Sequence, residues 1–376
     1  MPKSTKRIEQ QPIKHVVTYV STDGSFGGPL AVAIAQVTEL ARQGQKVDLV
    51  AGWDGKQKLT IPGVTVRLFR AKRLWPGFTG LVSPALWWHL ISSNRRTKFL
   101  HIHMGRDLMS LGSALIAMVF RRSYLVQTHG MVQVRRRTNI KALDFLVTSH
   151  ILRNAVRVLT LTRAESMDIR KISKDRAHID QISNGVRNIN LSDVTRNKSK
   201  IIFLARLHPR KRVMAFAEMC KILLDHEIIF HASVIGPDEG DLDPLLAYIR
   251  DYNLAEVLDY QGSIKPGESI ATLASAGVFV LPSYGEIFPM TVLEALVART
   301  LVVTTHDSGL APILDSFEAA IITDGSPASL ASGVMMALSD EKFRKNMINR
   351  GSEAVRDVFG IENVVEQLKQ IYDLSE

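Results

Sequence analysis

Short apolar runs alternate with amphipathic stretches along most of this chain. HVVTYV (15–20) reads as a strand, GGPLAVAIAQVTELARQG as a loop and helix, and KVDLVAG as the next strand. FLHIH (99–103), YLVQTH (124–129) and RVLTLT (157–162) are further strands with helical patterns between them. At 191–200 the text turns polar, LSDVTRNKSK, before a second series opens: IIFLAR, FHASVIG, VLDYQG, VFVLP, LVVTT and AAIIT. Strands alternating with helices predict parallel sheets covered on both faces. The expectation is α/β: two tandem Rossmann-like domains, 1–192 and 199–358, with a cleft between their facing strand ends. A closing amphipathic helix within 359–376 could cap either domain.

Composition narrows this only in places. Of 376 residues, 46% are hydrophobic, ordinary for a globular chain. A single cysteine, Cys220, excludes an intramolecular disulfide framework and reads as a small buried hydrophobe in AFAEMCKILL. The opening residues are charged without an apolar core, unlike a signal peptide. The longest apolar run, 108–120, is too short to span a bilayer. A cytoplasmic protein is expected. Charge is more telling: residues 1–190 carry 30 Lys+Arg against 11 Asp+Glu, and residues 191–376 carry 17 against 26. A basic half implies an anionic partner: nucleic acid, a membrane surface or a phosphate-bearing substrate.

Candidate chemistry concentrates at the expected strand ends. In LPSYGEIFPMTVLEALVARTLVVTT (281–305), Glu286 lies in the loop after a strand and Glu294 about one turn into the following helix. Ligands of open parallel sheets bind outside such strand ends, and a helix start offers free N–H groups to an anion. Glu294 reads as a helix-surface acid or, because it sits among Val292, Leu293, Leu296 and Val297, as a carboxylate that needs a partner such as a ligand hydroxyl or a buried arginine. FLARLHPRKR (203–212) places Arg206, Arg210, Lys211 and Arg212 past a strand, suited to a diphosphate or equally to a solvated basic turn. GSFGGPLA (24–31) can approach a phosphate through Gly27 and Gly28, or simply turn the chain; it lacks the dinucleotide Gly-x-Gly-x-x-Gly spacing. QTHGM ends another strand with His129, and HIH brings His103.

Taken in order, these motifs resemble those of retaining glycosyltransferases with the two-domain GT-B architecture, family 4, over roughly residues 15 to 330. The resemblance implies that Glu286 touches the donor sugar and Glu294 the ribose. It implies that Arg206, Lys211, Gly27 and Gly28 meet the donor diphosphate, with the helix start at Met290 and Thr291 facing phosphate. His129 would stand beside the donor sugar with His103 as a second candidate, and the backbone of Gly262 and Ser263 would read the base. ISNGV (182–186) and VIGPDEGD (234–241) match further family turns, and the C-terminal helix would cross back to the first domain. Departures are Arg212, Ile287 and Pro289 where glycine is frequent, Ser183 for proline, and a missing acid before HIH.

The implied activity is hexosyl transfer with retention, from a UDP- or GDP-sugar co-substrate to an acceptor hydroxyl, without a cofactor or metal. Asp241-x-Asp243 lies in a turn and is no metal motif. The acceptor would be a carbohydrate or lipid-linked molecule, as in cell-envelope or exopolysaccharide assembly. RLFRAKRLWPGF (67–78), LWWHL (86–90) and RRTK (95–98) mix cations with aromatics, as an anionic membrane interface would, or as basic surface over core aromatics would. Nucleic acid is not expected. The competing readings are a nucleotide-sugar epimerase of the same fold, and a non-enzymatic binder of nucleic acid or anionic surfaces.

Overall fold

The computed structural model describes residues 11–20, 27–56, 58–93, 97–187, 189, 194–265 and 267–373. It divides into two compact units: Met1–Gly185 with Ile361–Glu376, and Val186–Gly360. Each is a Rossmann-like half built on a parallel sheet.

The first unit contains β1 (Ile13–Val20), β2 (Val47–Trp53), β3 (Thr65–Arg70), β4 (Lys72–Arg73), β5 (Leu81–Val82), β6 (Phe99–His103), β7 (Tyr124–Gln127), β8 (Arg157–Thr160) and β9 (Ile179–Gln181). Seven of them form a sheet in the order β3-β2-β1-β6-β7-β8-β9, with every pair parallel. β4 and β5 pair antiparallel, and neither they nor β3 stood out in the sequence: β4 and β5 are two residues each, and no position of β3 is fully buried. β1 is buried at every position, as a strand covered on both faces must be. On one face Ile13, Val17, Leu49 and Leu125 pack against Ala33 and Val37 of helix Gly27–Arg42, and against Val364, Val365 and Leu368 of helix Ile361–Asp373. On the other, Val16, Val50, Ile102 and Val126 pack against Leu86, Leu90 and Met109. The last helix therefore belongs to the first unit. It stabilises that unit by burying five side chains, each worth about 1.5–3 kcal/mol before entropy is charged.

The second unit holds β10 (Asn197–Leu204), β11 (His231–Ile235), β12 (Leu258–Tyr260), β13 (Ala276–Leu281), β14 (Leu301–Thr305) and β15 (Ile321–Thr323). They run parallel in the order β12-β11-β10-β13-β14-β15. Cys220 is buried in helix Val213–Asp225.

Boundaries differ from the sequence expectation in detail. The units divide at Gly185/Val186, ahead of the polar segment 191–200, whose residues 191–193 lie outside the described residues. Val186 is tied into the second unit: its N–H donates to the Phe359 carbonyl at 2.8 Å and its side chain joins that unit's core. β10 begins at Asn197, within the segment that composition marked as linker. Strand 124–129 stops at Gln127, because His129 (φ 50°) and Gly130 (φ 74°) both turn left-handed, a conformation a strand cannot carry. Gly27 and Gly28 open the first helix instead of lying in a loop before it, and residues 24–26 lie outside the described residues. Among the described residues no helix is long and apolar enough to cross a membrane.

Candidate active site

In the second unit, parallel strands bring the candidate loops to one edge of the sheet. Arg206 and Lys211 follow β10, Gly236 follows β11, Gly262 and Ser263 follow β12, and Glu286 follows β13. The basic turn is compact. His208 caps a single 3-10 turn, Pro209–Lys211, its ring nitrogen Nδ1 accepting from the Arg210 N–H at 3.1 Å. Arg212 then takes φ 57°, a left-handed conformation that favours glycine, and its Nη1 donates to the Pro282 carbonyl at 3.4 Å. That bond offsets part of the cost of a side chain where the family often has glycine.

Two loops close on each other here. Lys211 Nζ stands 2.9 Å from Glu286 Oε1, both side chains largely buried. Arg210 Nη2 donates to the Gly285 carbonyl at 2.6 Å, and the Tyr284 N–H donates to the Arg210 carbonyl at 3.1 Å. From the far side, the Gly309 N–H holds the Glu286 carbonyl at 2.7 Å. Arg206, by contrast, turns to the exposed Glu239, at 2.6 Å. Gly236 is required by geometry: it has φ 149°, and a Cβ would sit 1.8 Å from the Ala205 carbonyl oxygen. Helix Met290–Val297 starts after the extended Pro289, with Met290 and Thr291 in its first turn. Glu294 is half-buried; Ser269, not an arginine, meets its carboxyl, and desolvation raises its pKa.

In the first unit, His103 ends β6 and His129 follows β7 on the neighbouring strand. Glu165 fixes the left-handed turn: buried, it accepts from the N–H of Gly130, from the Thr128 hydroxyl, and from the Leu161 N–H at 2.7 Å. Desolvation raises its pKa despite those bonds. His129 Nε2 lies 2.8 Å from His103 Nδ1, and His103 Nε2 lies 3.1 Å from His15 Nδ1. Tyr372, from the last helix, places its hydroxyl 3.2 Å from His15 Nε2 and 2.7 Å from His101 Nδ1. His101 Nε2 reaches Gln127 Oε1 at 3.1 Å, and Gln36 Nε2 donates to the same oxygen at 3.2 Å. His15 pairs with His101 in register, and His101 and His103 are two residues apart, so all three face one side of the sheet.

Burial pushes the imidazoles of His15 and His129 down to about 3, and those of His101 and His103 well below the ordinary value. The nitrogens of His15, His101 and His103 lie within 4.8 Å of one another, close enough to hold a metal ion. Both ring nitrogens of each are engaged in hydrogen bonds, so an ion would have to displace one.

Sequence reasoning missed Glu165, Glu239, His15, His101 and Tyr372. The available signal was a pair of histidines two positions apart in one apolar strand, His101 and His103, with His15 followed by Val16 and Val17 in β1. Of the basic–aromatic segments, Leu74, Trp75 and Trp88 are exposed, whereas Trp87 turns inward and donates to the Met109 carbonyl at 3.3 Å. Arg95 and Arg96 lie outside the described residues.

Comparison with known proteins gives the chain's family. Residues 188–354 match the family described as glycosyl transferases group 1, and residues 27–185 match the glycosyl transferase 4-like domain. A D-inositol 3-phosphate glycosyltransferase of Paenarthrobacter aurescens is 27% identical over 215 residues, 52% of this chain and 52% of that protein. N,N'-diacetylbacillosaminyl-diphospho-undecaprenol alpha-1,3-N-acetylgalactosaminyltransferase of Campylobacter jejuni is 26% identical over 190 residues, 50% of this chain and 46% of that one. The chain spans about half the length of the curated relatives it matches. The crystal structure of Anabaena Alr3699/HepE in complex with UDP superposes with a TM-score of 0.76 at 14% identity, covering 96% of this chain and 100% of that one.

Proposed function

Because this chain belongs to the group 1, family 4-like glycosyltransferases, with two Rossmann-like halves of the GT-B class, we propose that it moves a sugar, with retention, from a nucleotide-diphosphate sugar to an acceptor hydroxyl. The observation that carries this reading is the Lys211–Glu286 contact of 2.9 Å. It joins a cation suited to phosphate and a carboxylate suited to sugar hydroxyls, on two loops at one sheet edge. A donor with a sugar bonded directly to phosphate needs those two groups side by side.

On this reading the bond from the anomeric carbon to the β-phosphate oxygen breaks, and an acceptor hydroxyl bonds to the same face. The acceptor's proton leaves with the departing phosphate. Negative charge grows on that phosphate, so preorganised cations contribute most of the rate. Arg206 and Lys211 supply them, joined by the N–H groups of the helix start at Met290 and Thr291 and assisted by Gly27 and Gly28. Glu286 orients sugar hydroxyls, Glu294 takes the ribose, and the backbone at Gly262 and Ser263 borders the base. His129, neutral and held by Glu165, offers the sugar a hydrogen-bonding nitrogen. With cations meeting the leaving group, the reading assigns no metal.

The acceptor reading is a carbohydrate or lipid-linked molecule for glycan assembly, reached from an anionic membrane surface. The basic first half with exposed Leu74, Trp75 and Trp88 supports it, as does the diphospho-undecaprenol in the Campylobacter relative's name. Co-sedimentation with anionic but not neutral liposomes is expected.

The deciding experiment measures hydrolysis of UDP- and GDP-sugars with EDTA present, beginning with UDP-sugars because the Anabaena protein binds UDP. One sugar should turn over, Glu286→Ala should abolish turnover, and binding of none would sink the reading.

A further inference from the structure

We propose that the hydrogen-bond chain from His129 through His103, His15 and Tyr372 to His101 and Gln127 is a tautomer relay, and that Tyr372 is a positioning residue for the sugar transfer. The role of Tyr372 rests on the reading of His129 given above; the relay itself does not.

A neutral imidazole has one N–H and one lone pair. Each inner histidine of this chain uses both ring nitrogens, so donating on one side forces it to accept on the other. One choice at either end therefore sets every link. With Gln127 Oε1 accepting at the far end, His101 donates from Nε2 and Tyr372 donates to His101 Nδ1. His15 then donates from Nε2 to Tyr372, His103 from Nε2 to His15, and His129 from Nε2 to His103. All four histidines carry their proton on Nε2, and His129 Nδ1 is a lone pair.

Turning the amides of Gln36 and Gln127 over together reverses every link. All four protons then sit on Nδ1, and the number of hydrogen bonds is unchanged. Gln36 Oε1 and Gln127 Nε2 are the amide atoms without a partner in the first arrangement, and they exchange places with the paired ones in the second. Which polarity prevails is decided by the group that meets His129. A sugar hydroxyl donates or accepts equally well, so the relay lets one imidazole serve either hydrogen-bond pattern without carrying charge. Burial of His15, His101 and His103, with His129 partly covered beside them, keeps the rings neutral, as the relay requires. Tyr372 is the link supplied by the last helix, and it touches neither donor nor acceptor.

The test uses the full chain with 15N-labelled histidine and long-range 1H–15N NMR at neutral pH, the rings assigned by single His→Gln substitutions. Expected in the wild type is one tautomer shared by His15, His101, His103 and His129. A mixed set would overturn the relay, because somewhere two N–H groups or two lone pairs would face each other. Tyr372→Phe removes one hydroxyl and should uncouple His101 from the other three. It should also lower kcat roughly three- to tenfold at unchanged donor KM, the span that one neutral hydrogen bond moves a rate. Unmoved tautomers and unmoved kcat in that variant would remove Tyr372 from the proposal. If Tyr372→Phe fails to fold, the wild-type tautomer pattern still decides the relay. Shared tautomers in a protein that turns over no nucleotide sugar would leave the relay standing and the functional reading fallen.

Discussion

The two units carry their polar groups in opposite ways. In the second, charged side chains stand on loops past the strand ends and pair with acids: Lys211 with Glu286, Arg206 with Glu239. In the first, the chain that runs from His129 is built of uncharged imidazoles, a phenol and amides set into the sheet face itself, under two helices. Loop charges hold a charged ligand and can change partners cheaply. A buried neutral stripe can hold no net charge, but it can fix the direction of a hydrogen bond. On the proposed reading the contrast divides the labour: the second unit's charged groups answer the diphosphate and, through Glu286, the sugar hydroxyls, and the first adds a neutral hydrogen bond to the sugar through His129.

The contrast breaks most visibly at Lys211. Lys211→Ala is expected to lower kcat/KM by about 100- to 1000-fold, the usual cost of losing one preorganised charge-stabilising group, read from initial rates with the best donor. A loss under tenfold would mean the charge is met elsewhere. Next comes Glu165→Ala, which leaves the Gly130 and Leu161 N–H groups and the Thr128 hydroxyl without their buried acceptor. Destabilisation of about 2–4 kcal/mol is expected in urea unfolding.

Acid sharpens the comparison further. The buried histidines have folded pKa values depressed from 6.5 to about 3 for His15 and His129, so the unfolded chain binds protons that the folded one refuses. Their contribution to stability is complete above pH 6.5 and is lost progressively as pH falls toward about 3. Glu294 in the second unit, like Glu165 in the first, has the opposite sign, since a raised pKa favours the fold on acidification. Hydrogen exchange at pH 7 and pH 4.5 should show protection falling first at β1 and β6. The smallest effect is at Glu239. Glu239→Ala frees Arg206 from an exposed pair, and donor KM should fall no more than about fivefold with stability unchanged.

What the sequence revealed follows the same division. The second unit's site is made of local motifs, and their spacing was enough to place Arg206, Lys211, Glu286 and Glu294 past strands or in the next helix. Partners across loops, such as Glu239 for Arg206 and Ser269 for Glu294, were not legible, because they depend on how separate turns approach. The left-handed Arg212 was flagged only as a departure from glycine; its bond to Pro282 needed coordinates. In the first unit His129 and His103 were visible as residues at strand ends. Their continuation was not: His15 and His101 meet because β1 and β6 are neighbours, an order that skips four intervening strands. Tyr372 lies 271 positions from His101, and no periodicity links the two. Fold class is written in alternation and therefore reads early, whereas a stripe across neighbouring strands is written in topology.

The last helix has a consequence for synthesis. A ribosome makes all of Val186–Gly360 before it makes Ile361–Asp373, yet those later residues complete the unit that holds β1. The half that emerges first is thus the half that finishes last, its histidine-lined face waiting for Val364, Val365, Leu368 and Tyr372 while the second unit can already fold. During that interval the nascent chain presents an apolar sheet face to its surroundings, the kind of surface that chaperones shield. On the proposed reading Arg206, Lys211, Glu286 and Glu294 of the second unit can take shape early, whereas the imidazole chain closes only once Tyr372 has been made.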